Sequence, residues 1–212
     1  MMRKYFRLAA YLVVAMTTSW TFADDAVDFF RAVNVDNDRA VKALLARGFD
    51  PNMPNPQGQV GLFLAMRDES PKVALALLAH PAIRIDATTA EGETAAMMAA
   101  LRGNLEWTRM LLERGAALNR PGWAPLHYAA SGPEIAVVKL LLERGARIDA
   151  VSPNGTTALM MAARYGSFES AELLLARGAD TRLRNERALS AADFARAAGR
   201  EALALRLQPT ER

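Results

Sequence analysis

The chain contains no cysteine. No disulfide can close a loop, no thiolate can hold zinc or attack a substrate, and no lipid can be carried on a lipoprotein-type cysteine. Histidine is almost as scarce: the chain has two, His80 and His127. Two isolated imidazoles cannot complete a four-ligand zinc site without cysteine. No serine lies in a G-x-S-x-G turn, and no glycine-rich loop suits a phosphate. Carboxylate pairs occur at Asp24-Asp25 and Asp68-Glu69. Both fall in segments that read as exposed, without the apolar pocket that raises a carboxyl pKa for acid–base work. We therefore expect no enzyme, no cofactor and no resident metal.

An excess of one charge is also missing. The formal net charge is +3, and Arg3, Lys4 and Arg7 account for it, leaving 23 basic against 23 acidic residues beyond position 23. Arg182, Arg184 and Arg187 cluster near the C-terminus, but Glu186 sits among them, as on a solvated face. A nucleic-acid partner is not expected, because no basic stripe survives the correction.

Those three basic residues open a secretory leader. Leu8–Met16 is an apolar run of nine, and Thr21-Phe22-Ala23 ends it with small residues suited to cleavage. Nine residues cannot span a bilayer, which needs about 20. A membrane association is expected only if the segment stays uncleaved. Arginine outnumbers lysine and alanine is abundant, a usage associated with GC-rich bacterial genomes, so the expected destination is the periplasm.

Residues 24–212 are built on a period. Ala32, Ala65, Ala99, Ala129, Ala162 and Ala195 recur at intervals of 33, 34, 30, 33 and 33. Sixteen residues after each of the first five stands a helix-ending residue: Gly48, Pro81, Gly115, Gly145 and Gly178. Each follows an LLAR, LLAH or LLER segment. Pro121–Ala150 shows the unit most clearly. A short helix opens at Ala124-Pro125-Leu126-His127 and breaks at Gly132-Pro133. A second shows apolar residues at Ile135, Val138, Leu141 and Leu142, the spacing of a buried face. Two such helices cannot hide their apolar faces alone, so each unit needs neighbours. Turn residues mark the joints: Asn52/Pro54/Pro56/Gly58, Glu91-Gly92, Pro121-Gly122 and Pro153-Asn154-Gly155. From helix-ending residue to turn glycine the counts are 10, 11, 7 and 10, so the joint carrying Trp123 is three residues short.

This pattern resembles the ankyrin repeat. The residues that carry the likeness are Ala124-Pro125-Leu126-His127 in the place of the family's TPLH, Val137-Val138 with Leu140-Leu141-Leu142, and Gly145-Ala146. The resemblance implies an all-α solenoid of helix-turn-helix units with short hairpin fingers, behind the leader at 1–23. The units are 24–54 as an N-terminal cap, 55–88, 89–118, 119–151, 152–184, and 185–212 as a C-terminal cap. Asp38 is expected to cap the second helix of the first unit. The second unit diverges most, with Gly61 for Pro, Phe63 for His and Pro81 for the helix-ending Gly. His127 is expected to link backbone groups of neighbouring hairpins.

The likeness also implies a protein partner, met by finger tips and by residues after the Ala-Ala pair. Those are Gln57, Gln59 and Arg67; Glu91, Glu93, Leu101 and Arg102; Arg120, Trp123 and Ser131; and Asn154, Thr156, Arg164 and Tyr165. Trp, Tyr and Arg dominate interface energetics. Trp123 is expected to lie toward Leu101 and Arg102 on one side and Arg164 and Tyr165 on the other, either as a contact or as a lid on the shortened joint. Trp107 is expected in the core. The expected role is a monomeric periplasmic binding or scaffold module. The alternative is a factor that supports an enzyme or handles metal through Met97-Met98 and Met160-Met161, since thioethers suit soft copper; unbranched Met also fills gaps between helices.

Processing after Ala23 should leave 189 residues beginning at Asp24. Intact-mass measurement of the exported form checks this. A membrane-bound species retaining Met1–Ala23 would show an anchor instead.

Overall fold

A computed structural model describes residues 24–208. The expected leader, 1–23, lies outside them. The chain forms two compact units, divided after Ile83. Among the described residues no helix is long and apolar enough to cross a membrane.

Among its described residues the first unit holds four helices: α1 over 24–34, α2 Asp38–Ala46, α3 Gly61–Arg67 and α4 Pro71–Leu78. Its core is aromatic. Phe29 stacks on Phe49 at 4.6 Å and meets Phe30 edge-on at 5.1 Å. This explains Gly61: a Cβ there would lie 2.9 Å from the Phe29 ring. Phe63 is fully buried in the place of the family's histidine. The cap of α2 is not the residue expected. Asn37 accepts the Ala40 N–H at 3.1 Å, while Asp38 is the first helical residue and pairs with Lys42 at 2.6 Å. Asp36, at φ 51, turns its carboxylate onto the Val73 N–H at 2.9 Å and so holds α1 to α4. Pro71 sits in the first turn of α4, where its missing N–H costs nothing.

The second unit holds α5 Ala95–Leu101, α6 Leu105–Glu113, α7 Pro125–Ser131, α8 Ile135–Glu143, α9 Ala158–Arg164, α10 Phe168–Ala176, α11 Ala191–Ala197 and α12 Glu201–Arg206. The shorter helices pack side by side in the order α5, α7, α9, α11, and α6, α8, α10 form the layer behind. Ala99, Ala129, Ala162 and Ala195 are the fifth residues of the four front helices and are fully buried. Methyl groups at these crossings let backbones approach more closely than larger side chains allow. The approach is tightest at the helix ends. A Cβ on Gly132 would lie 2.7 Å from the Leu101 carbonyl, and one on Gly166 would lie 1.9 Å from the Ala130 carbonyl.

The helix-ending glycines behave alike. Gly48, Gly115, Gly145 and Gly178 have φ of 94, 94, 90 and 89. The residue after each donates its N–H back into the last turn, as Ala146 does to the Leu141 carbonyl at 2.9 Å. Proline cannot reach this conformation, so α4 leaves by a different route, with Ile83 N–H bonding the His80 carbonyl.

Gly166→Ala should destabilise the chain by at least about 3 kcal/mol, since the added carbon meets backbone that cannot yield. Gly178→Ala, with open space around its Cβ, should lose only about 1 kcal/mol, for its left-handed backbone. Urea unfolding of the two variants compares them.

Candidate protein-binding surface

Each front helix must satisfy the N–H of the residue that precedes it. The third helical residue does this by reaching back. In α5 and α9 the acceptor is the thioether of Met97 or Met160, 3.4 Å from the Thr94 or Thr157 N–H. In α11 it is the Asp193 carboxylate, 2.8 Å from the Ser190 N–H. In α7 it is His127 Nδ1, 3.2 Å from the Ala124 N–H. Because Nδ1 accepts, Nε2 carries the proton and donates to the Ala150 carbonyl at 3.0 Å. His127 thus ties its own helix to the start of the next finger, as the resemblance implied. Burial of the ring is the main influence on it and holds its pKa below the usual imidazole value. Met97 and Met160 are closed off from solvent by the same arrangement. Among the described residues no group of three His, Asp or Glu could hold a metal ion.

The fingers precede the front helices. Four of them close identically: Asn55, Thr89, Ser152 and Asn185 donate their N–H to the carbonyl four residues on, at 2.8–3.0 Å. The finger at 119–123 has no such bond among the described residues. Asn119 explains why. Its side chain accepts the Arg147 N–H at 2.9 Å, as Asp86 does with Ala117 and Asp149 with Asp180. Asn119 therefore occupies the place of Asp149. The three missing residues fall between it and Gly122, within the finger itself.

The shortened finger brings Trp123 down to the N-terminal end of α7. Its ring meets His127 at 5.4 Å and Tyr128 at 6.2 Å, both edge-on, and it stays half-buried. Tyr128 donates its hydroxyl proton to Glu93 at 2.8 Å. Burial first, and then this carboxylate, push its pKa far above the ordinary phenol value. Arg120 reaches the Gly92 carbonyl at 3.1 Å. Glu93, Arg120 and Trp123 thus form one cluster, completed by Tyr128, which sequence reasoning missed. Tyr128 stands in the frame where α5 and α9 carry Met98 and Met161; a polar aromatic among thioethers was the available signal.

Leu101, Arg164 and Tyr165 sit elsewhere. Leu101 and Arg164 are the last residues of α5 and α9, and Arg102 and Tyr165 follow them. The contacts of Gly132 with Leu101 and of Gly166 with Ala130 show that the front helices run parallel with their C-terminal ends together. Seven residues separate these ends from the Trp123 end, about 10 Å of helix. The expected single neighbourhood is thus two clusters, one at each end of the front layer. At the C-terminal end the Arg164 guanidinium lies 5.3 Å from the Tyr165 ring centre, and Tyr165 is 59% exposed. Ser131 turns back to the His127 carbonyl at 2.9 Å.

The other expected residues are partly spent on the fold. Asn154 accepts from Ser152 Oγ at 2.6 Å and its carbonyl accepts the Glu186 N–H at 3.0 Å. Thr156 is buried, while Glu91 and Gln57 are exposed finger-tip residues. In the first unit Arg67 forks onto Asp68 at 2.6 and 2.8 Å and also reaches Gln59 at 3.2 Å. Trp107 is half-buried on α6, not enclosed.

The family model for ankyrin repeats (three copies) matches residues 29–122 and 116–185. This chain belongs to the ankyrin-repeat family. Over 152 residues, 68% of the chain, it is 32% identical to the mouse B-cell lymphoma 3 protein homolog. Over 161 residues, 73% of the chain, it is 30% identical to the chicken nuclear factor NF-kappa-B p105 subunit. Over 150 residues, 68% of the chain, it is 31% identical to the human SH3 and multiple ankyrin repeat domains protein 2. The chain spans 34%, 16% and 8% of these relatives' lengths. Ankyrin repeats generally mediate binding between proteins.

A buried neutral histidine makes stability depend on pH. The unfolded His127 binds a proton below about pH 6.5, and the folded one resists it. Stability should therefore fall as pH drops through about 6.5 toward the lower folded value. His127→Met, which keeps an acceptor for the Ala124 N–H, should flatten the profile there. Melting temperatures across that range measure the difference.

Proposed function

We propose that this chain is an exported periplasmic module that binds another protein as a monomer and performs no catalysis of its own. The leader-like layout at 1–23 and the balanced charge beyond it support the location. The observation that carries the binding reading is the Arg164–Tyr165 pair. An aromatic ring 59% exposed, with a guanidinium laid over it, presents hot-spot residue types to solvent. Trp123 and Tyr128 offer a second aromatic cluster at the other end of the same helices. The alternative metal-handling reading has less support, because the thioethers of Met97 and Met160 already accept backbone N–H groups.

The mature chain, immobilised in periplasmic extract, should capture a protein, and the interaction can then be measured with the purified pair. Tyr165→Ala should weaken it by about 2 kcal/mol with the melting temperature nearly unchanged. Trp123→Ala should weaken it too, while lowering stability by about 1–2 kcal/mol as a half-buried ring. Full-strength binding by both variants would remove these clusters from the interface.

A further inference from the structure

Four front helices hold the N–H that precedes them in the same way, but one of the four acceptors titrates near neutrality once water reaches it. The thioethers of Met97 and Met160 take up no proton. Asp193 is held below the ordinary carboxylate value, first by its bonds to Ser190, so it stays an anion from pH 5 to 8. His127 is an imidazole. It also makes a bond that a thioether or a carboxylate cannot. Its Nε2–H donates to the Ala150 carbonyl at 3.0 Å and so ties α7 to the start of the next finger. On the other side Nδ1 accepts the Ala124 N–H at 3.2 Å. A proton on Nδ1 sets two donors head to head, so the charged ring cannot keep this place. Trp123 rests on the ring at 5.4 Å and meets Tyr128 at 6.2 Å, which puts the titrating joint under the aromatic cluster.

The polar surroundings of the ring are backbone groups, of Ala150, Ala124 and Thr156. The charged residues on the elements around it are engaged elsewhere. In the preceding finger Glu91 is exposed and Glu93 accepts from Tyr128, which keeps its proton. In its own finger Arg120 reaches the Gly92 carbonyl. In the joint after α8 Asp149 accepts the Asp180 N–H, and Arg147 is exposed. On α8 Glu134 caps its own helix and Lys139 pairs with Glu143 at 3.9 Å. Arg102 and Arg164 stand at the far ends of α5 and α9. Asn119 makes further side-chain bonds across the joint, to the Arg147 N–H at 2.9 Å and the Gly145 carbonyl at 3.0 Å. These do not titrate, so the joint keeps a hinge when the imidazole lets go.

We propose that the bond from His127 to the next finger is an acid-operated latch: protonation of the ring opens the joint between α7 and the finger at 152–156, loosens Trp123 and Tyr128, and weakens the hold on the partner protein. The last step rests on the protein-binding reading; the latch itself does not. The opened ring takes a proton below about pH 6.5, and the closed one resists it. Opening is therefore favoured at pH 5 over pH 8 by up to about 30-fold.

Amide hydrogen exchange of the isotope-labelled mature chain, corrected for intrinsic rates, reads the latch without a partner. Between pH 8 and pH 5 opening at the Ala124 amide should rise at least about fivefold. The Thr94, Thr157 and Ser190 amides, held by acceptors that do not titrate there, should change by less than about twofold. His127→Met should abolish the rise, and His80→Gln should keep it. Equal rises at all four amides mean general loosening in acid and overturn the latch, as does no rise at Ala124. The Trp123 indole signal should shift with the same midpoint; an indole blind to the titration overturns the loosening of the cluster. With the captured partner, the unmodified chain should bind about fivefold more weakly at pH 5 than at pH 8, and His127→Met should bind alike at both. Acid-sensitive binding in both chains, or in neither, overturns the release. If no protein is captured, the binding reading fails, and exchange at Ala124 alone decides the latch.

Discussion

Everything in the second unit follows from how closely four short helices approach. Ala99, Ala129, Ala162 and Ala195 present only methyl groups at the crossings. The helices therefore nearly touch through backbone, and Gly132 and Gly166 let the chain pass against the carbonyls of the preceding helix. A repeat in this setting has little freedom of length within its helices. Variation is pushed into the joints, which is where the chain is three residues short.

The same closeness imposes a polar problem at each of the four front-helix starts, and the sequence solves it with three chemistries. A thioether, an imidazole, a thioether and a carboxylate fill equivalent places in α5, α7, α9 and α11. Only the imidazole has a second nitrogen to spend outward, on the Ala150 carbonyl. The carboxylate of Asp193 is held below its ordinary pKa, first by its hydrogen bonds to Ser190 and then by Arg196 and Arg184. Met97 and Met160 act here as polarisable acceptors in a dry site.

Much of this was legible in the residues. The alanine period located the front helices, and the glycines sixteen residues on marked real left-handed turns, because both features depend on local backbone and small size. The exception at Pro81 was legible for the same reason. What could not be read was where long side chains go. Asn37 and Asp38 both cap helices well, and only the backbone entering α2 decides between them. Nothing in the repeat pattern singles out Tyr128, whose role depends on Glu93 standing beside its hydroxyl. Trp123 was placed in the right joint, but the helix length between it and Tyr165 is a three-dimensional fact. The role of Asn119 depended on recognising that it stands where Asp149 does, which needs the bond to Arg147.

Arg200 stands where α6, α8 and α10 place Asn104, Glu134 and Ser167 to cap themselves. Its side chain makes no bond to its own helix. It crosses instead to the preceding pair and donates to the carbonyls of Ala162, Ala163 and Gly166 at 3.0, 3.1 and 2.9 Å. The α11–α12 pair in this sense closes off the pair before it. Repeat arrays gain and lose members by duplication and trimming, and each cut is tolerated only where the new end is self-sufficient. Removing the chain from Arg200 onward would strip α12 and also leave the Ala162, Ala163 and Gly166 carbonyls at the end of α9 without this donor.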